Sequence, residues 1–188
     1  MIKIKFTLLA ILSVLTVTAY SQVNNTKKME KKQIMVAYFS ATGTTQQVAT
    51  KLAHLANADL CEIIPMERYT SADLNWNDRE SRSSIEMNNP QARPKIRTTI
   101  KDVRKYDYIF LGYPIWWDLA PRVVNTFIES HQLNGKTIIP FATSGGSTIT
   151  GSVIQLKKSY PKLHWQTGKL LNRASEQDLK AWLHTILD

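Results

Sequence analysis

The sequence predicts an α/β fold, a parallel β-sheet with helices packed on both of its faces. Two observations carry this. Apolar, β-prone runs alternate along the chain with segments of helical periodicity, and most connections between them are short. Strands fed through helical crossovers pair in parallel, and the helices then cover both sheet faces.

Taken in order, Gln33 to Phe39 reads as the first strand, and Gln46 to Ala56 as a helix with Val48, Leu52, Leu55 and Ala56 on one face. Asp59 to Ile64 is the second strand, closed by Pro65, and Tyr106 to Gly112 the third. Pro121 stands where a first helical residue would, and Val123, Val124, Phe127 and Ile128 repeat at helical spacing up to Ser130. Lys136 to Ala142 is the fourth strand, and Ser152 to Tyr160 a helix. The last helix, Ser175 to Leu187, opens with the capping pattern S-E-Q-D and turns Leu179, Trp182, Leu183 and Ile186 inward. Two places strain this pattern. Met66 to Lys105 is long and polar, with Trp76, Pro90 and Pro94, and is expected to hold a short helix near Arg79 to Met87 within a surface excursion. Pro140 falls inside the fourth strand and cannot donate a ladder bond, so a neighbouring strand at Lys169 to Asn172 should pair over part of its length.

The N-terminus reads as a secretory signal peptide over residues 1–21. Lys3 and Lys5 precede an apolar run from Phe6 to Val17, and Ala19-Tyr20-Ser21 offers small residues for cleavage before Gln22. That run is short for a membrane span, and no later stretch is long enough, so no span is expected after cleavage. The expected location is outside the cytoplasm, in the periplasm. Residues 22–32 are a polar, Lys-rich leader, and 33–188 form one domain. Net charge is +9, or +7 without Lys3 and Lys5. The basic residues are scattered and follow no single helix face, which argues against nucleic-acid binding. Cys61 is the sole cysteine, so no internal disulfide can form.

Three loops leave strand ends and should converge, because ligands of open parallel sheets bind at the carboxyl ends of the strands. The first is Ser40-Ala41-Thr42-Gly43-Thr44-Thr45, ahead of a helix N-terminus. Unpaired N–H groups and the helix dipole favour an anion there, and four hydroxyls crowd into six positions. It has neither the lysine of a triphosphate-binding loop nor the repeated glycines of a dinucleotide fingerprint, so it suits one terminal phosphate monoester. The second, Tyr113-Pro114-Ile115-Trp116-Trp117, offers indoles for stacking a flat ring, although one of the two tryptophans should be core. The third, Thr143-Ser144-Gly145-Gly146-Ser147, offers N–H groups and hydroxyls to the polar edge of such a ring. Each has an ordinary reading as a turn or cap, and together they describe what flavin mononucleotide (FMN) presents.

These motifs, Y-F-S-x-T-G-T-T, G-Y-P-I-W-W and T-S-G-G-S, resemble those of a flavodoxin over essentially all of Gln33 to Asp188. The resemblance implies a five-stranded parallel sheet of order 2-1-3-4-5 with non-covalent FMN at the strand ends. Ser40 to Thr45 would hold the phosphate, Tyr113 to Trp117 would line the isoalloxazine, and Thr143 to Ser147 would border its other side. Familiar electron-carrying flavodoxins are acidic and cytoplasmic, so no particular redox partner carries over to this basic chain.

No catalytic or metal-binding residue is assigned. Six residues separate Cys61 from Arg68, which breaks the C-x5-R spacing of a phosphatase, and His54, His131, His164 and His184 lack metal-ligand spacing. The chemistry then belongs to the flavin. Three functions remain open: an FMN protein passing electrons between partner proteins, an FMN-dependent NAD(P)H or quinone reductase, and a flavin-free binding module.

Overall fold

The computed structural model describes residues 32–187. The expected signal segment and the leader before Lys32 lie outside the described residues. From the first strand the order is β1 (Ile34–Tyr38), α1 (Thr44–Ala56), β2 (Asp59–Glu62), α2 (Arg82–Asn88), β3 (Tyr108–Pro114), α3 (Arg122–Ser130), β4 (Thr137–Thr143) and α4 (Thr150–Ser159). Two short strands, β5 (His164–Trp165) and β6 (Lys169–Leu170), precede the final helix α5 (Glu176–Leu187).

All strand pairs are parallel, in the order β2-β1-β3-β4-β5, with β6 also on β4. The expected order holds, but the fifth position is filled by two fragments. Pro140 explains the split. Gln166 N–H donates to the Ile138 carbonyl and Leu171 N–H to the Ala142 carbonyl, so even-numbered residues of β4 face the edge. Pro140 is one of these, and its missing N–H leaves a gap in the ladder on that side alone. Pairing to β3 on the other side continues through Leu111 opposite Pro140.

Side chains alternate between two cores, as the period of a strand requires. Met35, Ala37 and Phe39 join Ile109, Leu111 and Tyr113 beneath Val123, Val124 and Phe127 of α3 and Leu156 of α4. On the opposite face Val36, Tyr38, Phe110, Ile139 and Phe141 pack with Leu52 of α1 and Leu179 and Trp182 of α5. Each fully buried apolar side chain here contributes about 1.5–3 kcal/mol relative to exposure. The capping pattern of α5 forms as expected: Ser175 N–H donates to Asp178 Oδ2 (2.9 Å) and Asp178 N–H to Ser175 Oγ (3.1 Å).

The long excursion between β2 and β3 is anchored at several points. Thr98 Oγ1 accepts from Ile64 N–H (2.7 Å) and donates to the Glu62 carbonyl (2.8 Å). Arg122, buried at the start of α3, donates to the carbonyls of Glu86 and Met87 at the end of α2. Helix α2 begins at Arg82, three residues later than expected, where the Ser81 side chain caps Ser84 N–H.

Candidate functional site

The loop after β1 is set by one glycine and one serine. Gly43 caps α1 at φ +89°, a left-handed conformation that side-chain-bearing residues adopt only with strain. Its N–H donates to Ser40 Oγ (3.1 Å), and Gln47 N–H returns to its carbonyl (3.0 Å). Among the described residues no acceptor meets the N–H groups of Thr44, Thr45 or Gln46. These groups and the positive end of the helix dipole sit at one spot. The helix starts at Thr44, two residues earlier than the periodicity suggested, directly after the turn at Gly43.

The four hydroxyls divide by role. Ser40 Oγ shapes the loop, and Thr45 Oγ1 is buried against Thr143 Oγ1 at 2.8 Å. Thr42 and Thr44 are exposed and their hydroxyls make no bond within the described residues. The loop is thus a donor set with no carboxylate between Ser40 and Gln47.

The loop after β3 is a tight reversal. Trp116 and Leu119 exchange both backbone hydrogen bonds (3.0 and 2.9 Å), with Trp117 at φ +46° and Asp118 at φ +58° between them. Two positive φ angles define a type I′ turn, which favours Asn-Gly, yet Trp-Asp occupies it. Backbone strain of this kind is concentrated at ligand sites. Trp116 is half-buried and packs edge-on against Phe39 (centroids 5.6 Å) and Tyr69 (5.2 Å), whereas Trp117 is 47% exposed. One indole packs against the core without being fully buried, and the other is presented to solvent.

The loop after β4 is braced from a residue the sequence did not single out. Ser144 N–H donates to Asn172 Oδ1 (2.7 Å), and the Asn172 amide donates back to the Ser144 carbonyl. Ser144 Oγ then accepts from Gly146 N–H (3.1 Å) and Ser147 N–H (2.8 Å). Gly145 N–H is left without a partner among the described residues. Ile115 N–H donates to the Thr143 carbonyl (2.8 Å), fastening the second loop to the third.

Between the first two loops and the excursion lies a cleft of about 360 Å³, lined by Ala41, Thr42, Pro114, Ile115, Trp116 and Trp117, with Leu74, Trp76 and Ser83 opposite. Among the described residues no charged side chain lines it. Behind its wall, Tyr69 donates to Glu86, which also takes Arg82 Nε (2.7 Å), while the Arg82 guanidinium lies 4.1 Å over the Tyr69 ring. Burial, then the Glu86 carboxylate, hold the Tyr69 phenol well above its ordinary range, so it stays a donor.

A loop with unfilled N–H donors at a helix N-terminus beside an aromatic cleft, at the strand ends of a 2-1-3-4-5 sheet, coincides with a match to the flavodoxin family model over residues 33–186. The chain belongs to the flavodoxin family. Among solved structures it is similar to a candidate flavoprotein of Bacteroides eggerthii, with 57% identity and a TM-score of 0.80 over 82% of this chain and 97% of that one. A candidate flavoprotein of Bacteroides uniformis matches at 47% identity and TM-score 0.79, over 81% of this chain and 98% of that one. A Lactobacillus acidophilus flavoprotein in complex with FMN shares the fold at 22% identity and TM-score 0.63, over 74% of this chain and 92% of that one. No curated protein matches.

In this flavodoxin most of the predicted residues fall into three roles. Ala41, Thr42, Pro114, Ile115, Trp116 and Trp117 meet in the cleft. Thr45 and Thr143, and Ser144 with Gly146 and Ser147, use their polar groups to fasten and shape the loops. Tyr113 turns into the core, fully buried, with its hydroxyl 3.0 Å from Ser152 Oγ. Burial pushes the Tyr113 phenol up to about 12, with the Ser152 bond a smaller opposing effect. Leu74, Trp76, Ser83 and Asn172 were missed as site residues. An indole isolated in a polar excursion was the available signal for Trp76, whereas nothing local distinguishes Asn172.

Proposed function

We propose that this flavodoxin binds FMN without a covalent bond and passes electrons between partner proteins. The observation that carries the reading is the pairing of unfilled N–H donors at the start of α1 with an uncharged, indole-lined cleft beside them. The N–H groups of Thr44, Thr45 and Gln46 and the hydroxyls of Thr42 and Thr44 would hold the phosphate. Pro114, Ile115, Trp116 and Trp117 would receive the ring, and Gly145 N–H is the donor left to its polar edge. Bound FMN supplies the redox chemistry, accepting and releasing electrons. The residues of this chain orient the cofactor through these contacts.

Among the described residues the cleft lining carries no charged side chain, which suits the uncharged ring of FMN. An absorbance titration of the purified protein with FMN tests binding, and steady-state NAD(P)H oxidation separates carrier from reductase. Saturable uptake with negligible NAD(P)H turnover is the expected result; rapid turnover would favour the reductase.

The expected signal segment supports export to the periplasm as an unfolded chain. FMN is then acquired after translocation. Protein recovered folded from the periplasm yet consistently without flavin counts against this.

A further inference from the structure

Trp76 is 71% exposed and makes no ring contact with another aromatic side chain among the described residues. The segment that carries it is nevertheless well braced. Thr70 N–H donates to Asp73 Oδ2 (2.8 Å), Leu74 N–H to the Thr70 carbonyl (3.2 Å) and Asn77 N–H to Asn75 Oδ1 (3.2 Å). Beyond the indole, Asp78 N–H donates to the Asn75 carbonyl (3.0 Å), and Ser83 N–H reaches back to the Asp73 carbonyl (3.0 Å). A large apolar ring is thus carried in water on an ordered stretch of backbone. That combination fits a surface waiting for a ligand. Trp76 also lines the same uncharged cleft as Trp116 and Trp117, although it comes from the excursion and not from a strand-end loop.

We propose that Trp76 is a contact residue for the flat ring bound in this cleft, so that the excursion supplies a third indole to the ring which Trp116 and Trp117 receive. The proposal rests on the FMN reading above and adds a residue to it. It also accounts for the long β2–β3 excursion, whose Leu74, Trp76 and Ser83 form the wall that faces Pro114 to Trp117. An indole against the ring adds apolar burial and aromatic contact, and its loss should be felt in affinity and in the colour of the bound flavin.

The test measures the FMN dissociation constant and the visible absorption band of the purified protein, for wild type, Trp76→Ala and Trp76→Phe. Trp76→Gln serves as a second non-aromatic variant should Trp76→Ala misfold, and far-ultraviolet circular dichroism confirms the fold in each. The expected result is about 3- to 10-fold weaker binding and a shifted band in Trp76→Ala or Trp76→Gln, with most of both restored in Trp76→Phe. Unchanged affinity and band in the non-aromatic variants, with wild type binding FMN, overturn the proposal and leave the FMN reading standing. A wild-type protein that does not take up FMN overturns both.

Discussion

The hydroxyls of Thr45 and Thr143 lie 2.8 Å apart in a buried position, joining the first turn of α1 to the last residue of β4. One of the two donates and the other accepts, and each is cut off from water. The geometry of the candidate phosphate loop is therefore tied to that of the loop 98 residues later.

A mutant cycle on this pair should be strongly non-additive. Thr45→Val or Thr143→Val alone leaves the other hydroxyl buried without a partner, at a cost of about 1–3 kcal/mol. The double substitution removes both polar groups and should cost less than either single change. Urea unfolding of the four proteins without FMN reads the cycle. Single variants as stable as wild type would show that water reaches the pair.

Gly43 should resist substitution for a backbone reason. A Cβ there meets nothing within 4 Å, so Gly43→Ala creates no clash, but φ +89° is unfavourable for any L side chain. Gly43→Ala is expected to destabilise the protein by about 1–2 kcal/mol, and Gly43→Asn by less, since Asn tolerates the left-handed region. Thermal unfolding measures both. FMN affinity should fall with Gly43→Ala as well, because relaxing φ re-aims the N–H groups of Thr44 and Thr45.

These particulars show how far the sequence could be read. Strand order was implied by the resemblance of the motifs to a family. The alternation of strands and helices, the three loops at strand ends and the interrupted edge pairing beside Pro140 follow from patterns local to each segment, and these proved legible. Division of labour within the loops was not. Whether a threonine faces a ligand or a buried partner depends on contacts such as Thr45 with Thr143, which no short window contains. Tyr113 illustrates the same limit, since strand alternation sends it inward to Ser152 although it adjoins Pro114 at the cleft. Asn172 braces the third loop from beyond β6, where position in three dimensions alone marks it, whereas Trp76 stands out in the sequence as an indole in a polar excursion.

The Trp117-Asp118 turn should trade stability against binding. Both residues hold positive φ in a turn that prefers Asn-Gly, a strain of order 1 kcal/mol each. Asp118→Gly is expected to raise stability by about 0.5–1 kcal/mol with FMN affinity retained. Trp117→Gly should stabilise the protein without FMN to a similar degree and weaken FMN binding, because it removes the exposed indole of the cleft. Chemical unfolding paired with an FMN titration separates the two effects; a Trp117→Gly protein that binds as tightly as wild type would remove Trp117 from the site.

Tyr113 should make the fold sensitive to alkali. Its phenol is pushed by burial from the ordinary value of 10.0 up to about 12, so the folded state holds the proton more tightly than the unfolded chain. A raised folded-state value means the stabilisation is complete below pH 10 and is lost as pH climbs through about 12, by up to ~3 kcal/mol. Tyr113→Phe removes that dependence. It also removes the bond to Ser152, whose hydroxyl keeps its 2.8 Å bond to the Ile149 carbonyl, so the cost at pH 8 is expected to be about 1 kcal/mol. The two stability curves, measured by urea unfolding from pH 8 to pH 12, should converge above pH 10 and cross at about pH 11. A constant gap across this range would mean that the Tyr113 phenol titrates alike in the folded and unfolded chain, and that its burial carries no penalty for the phenolate.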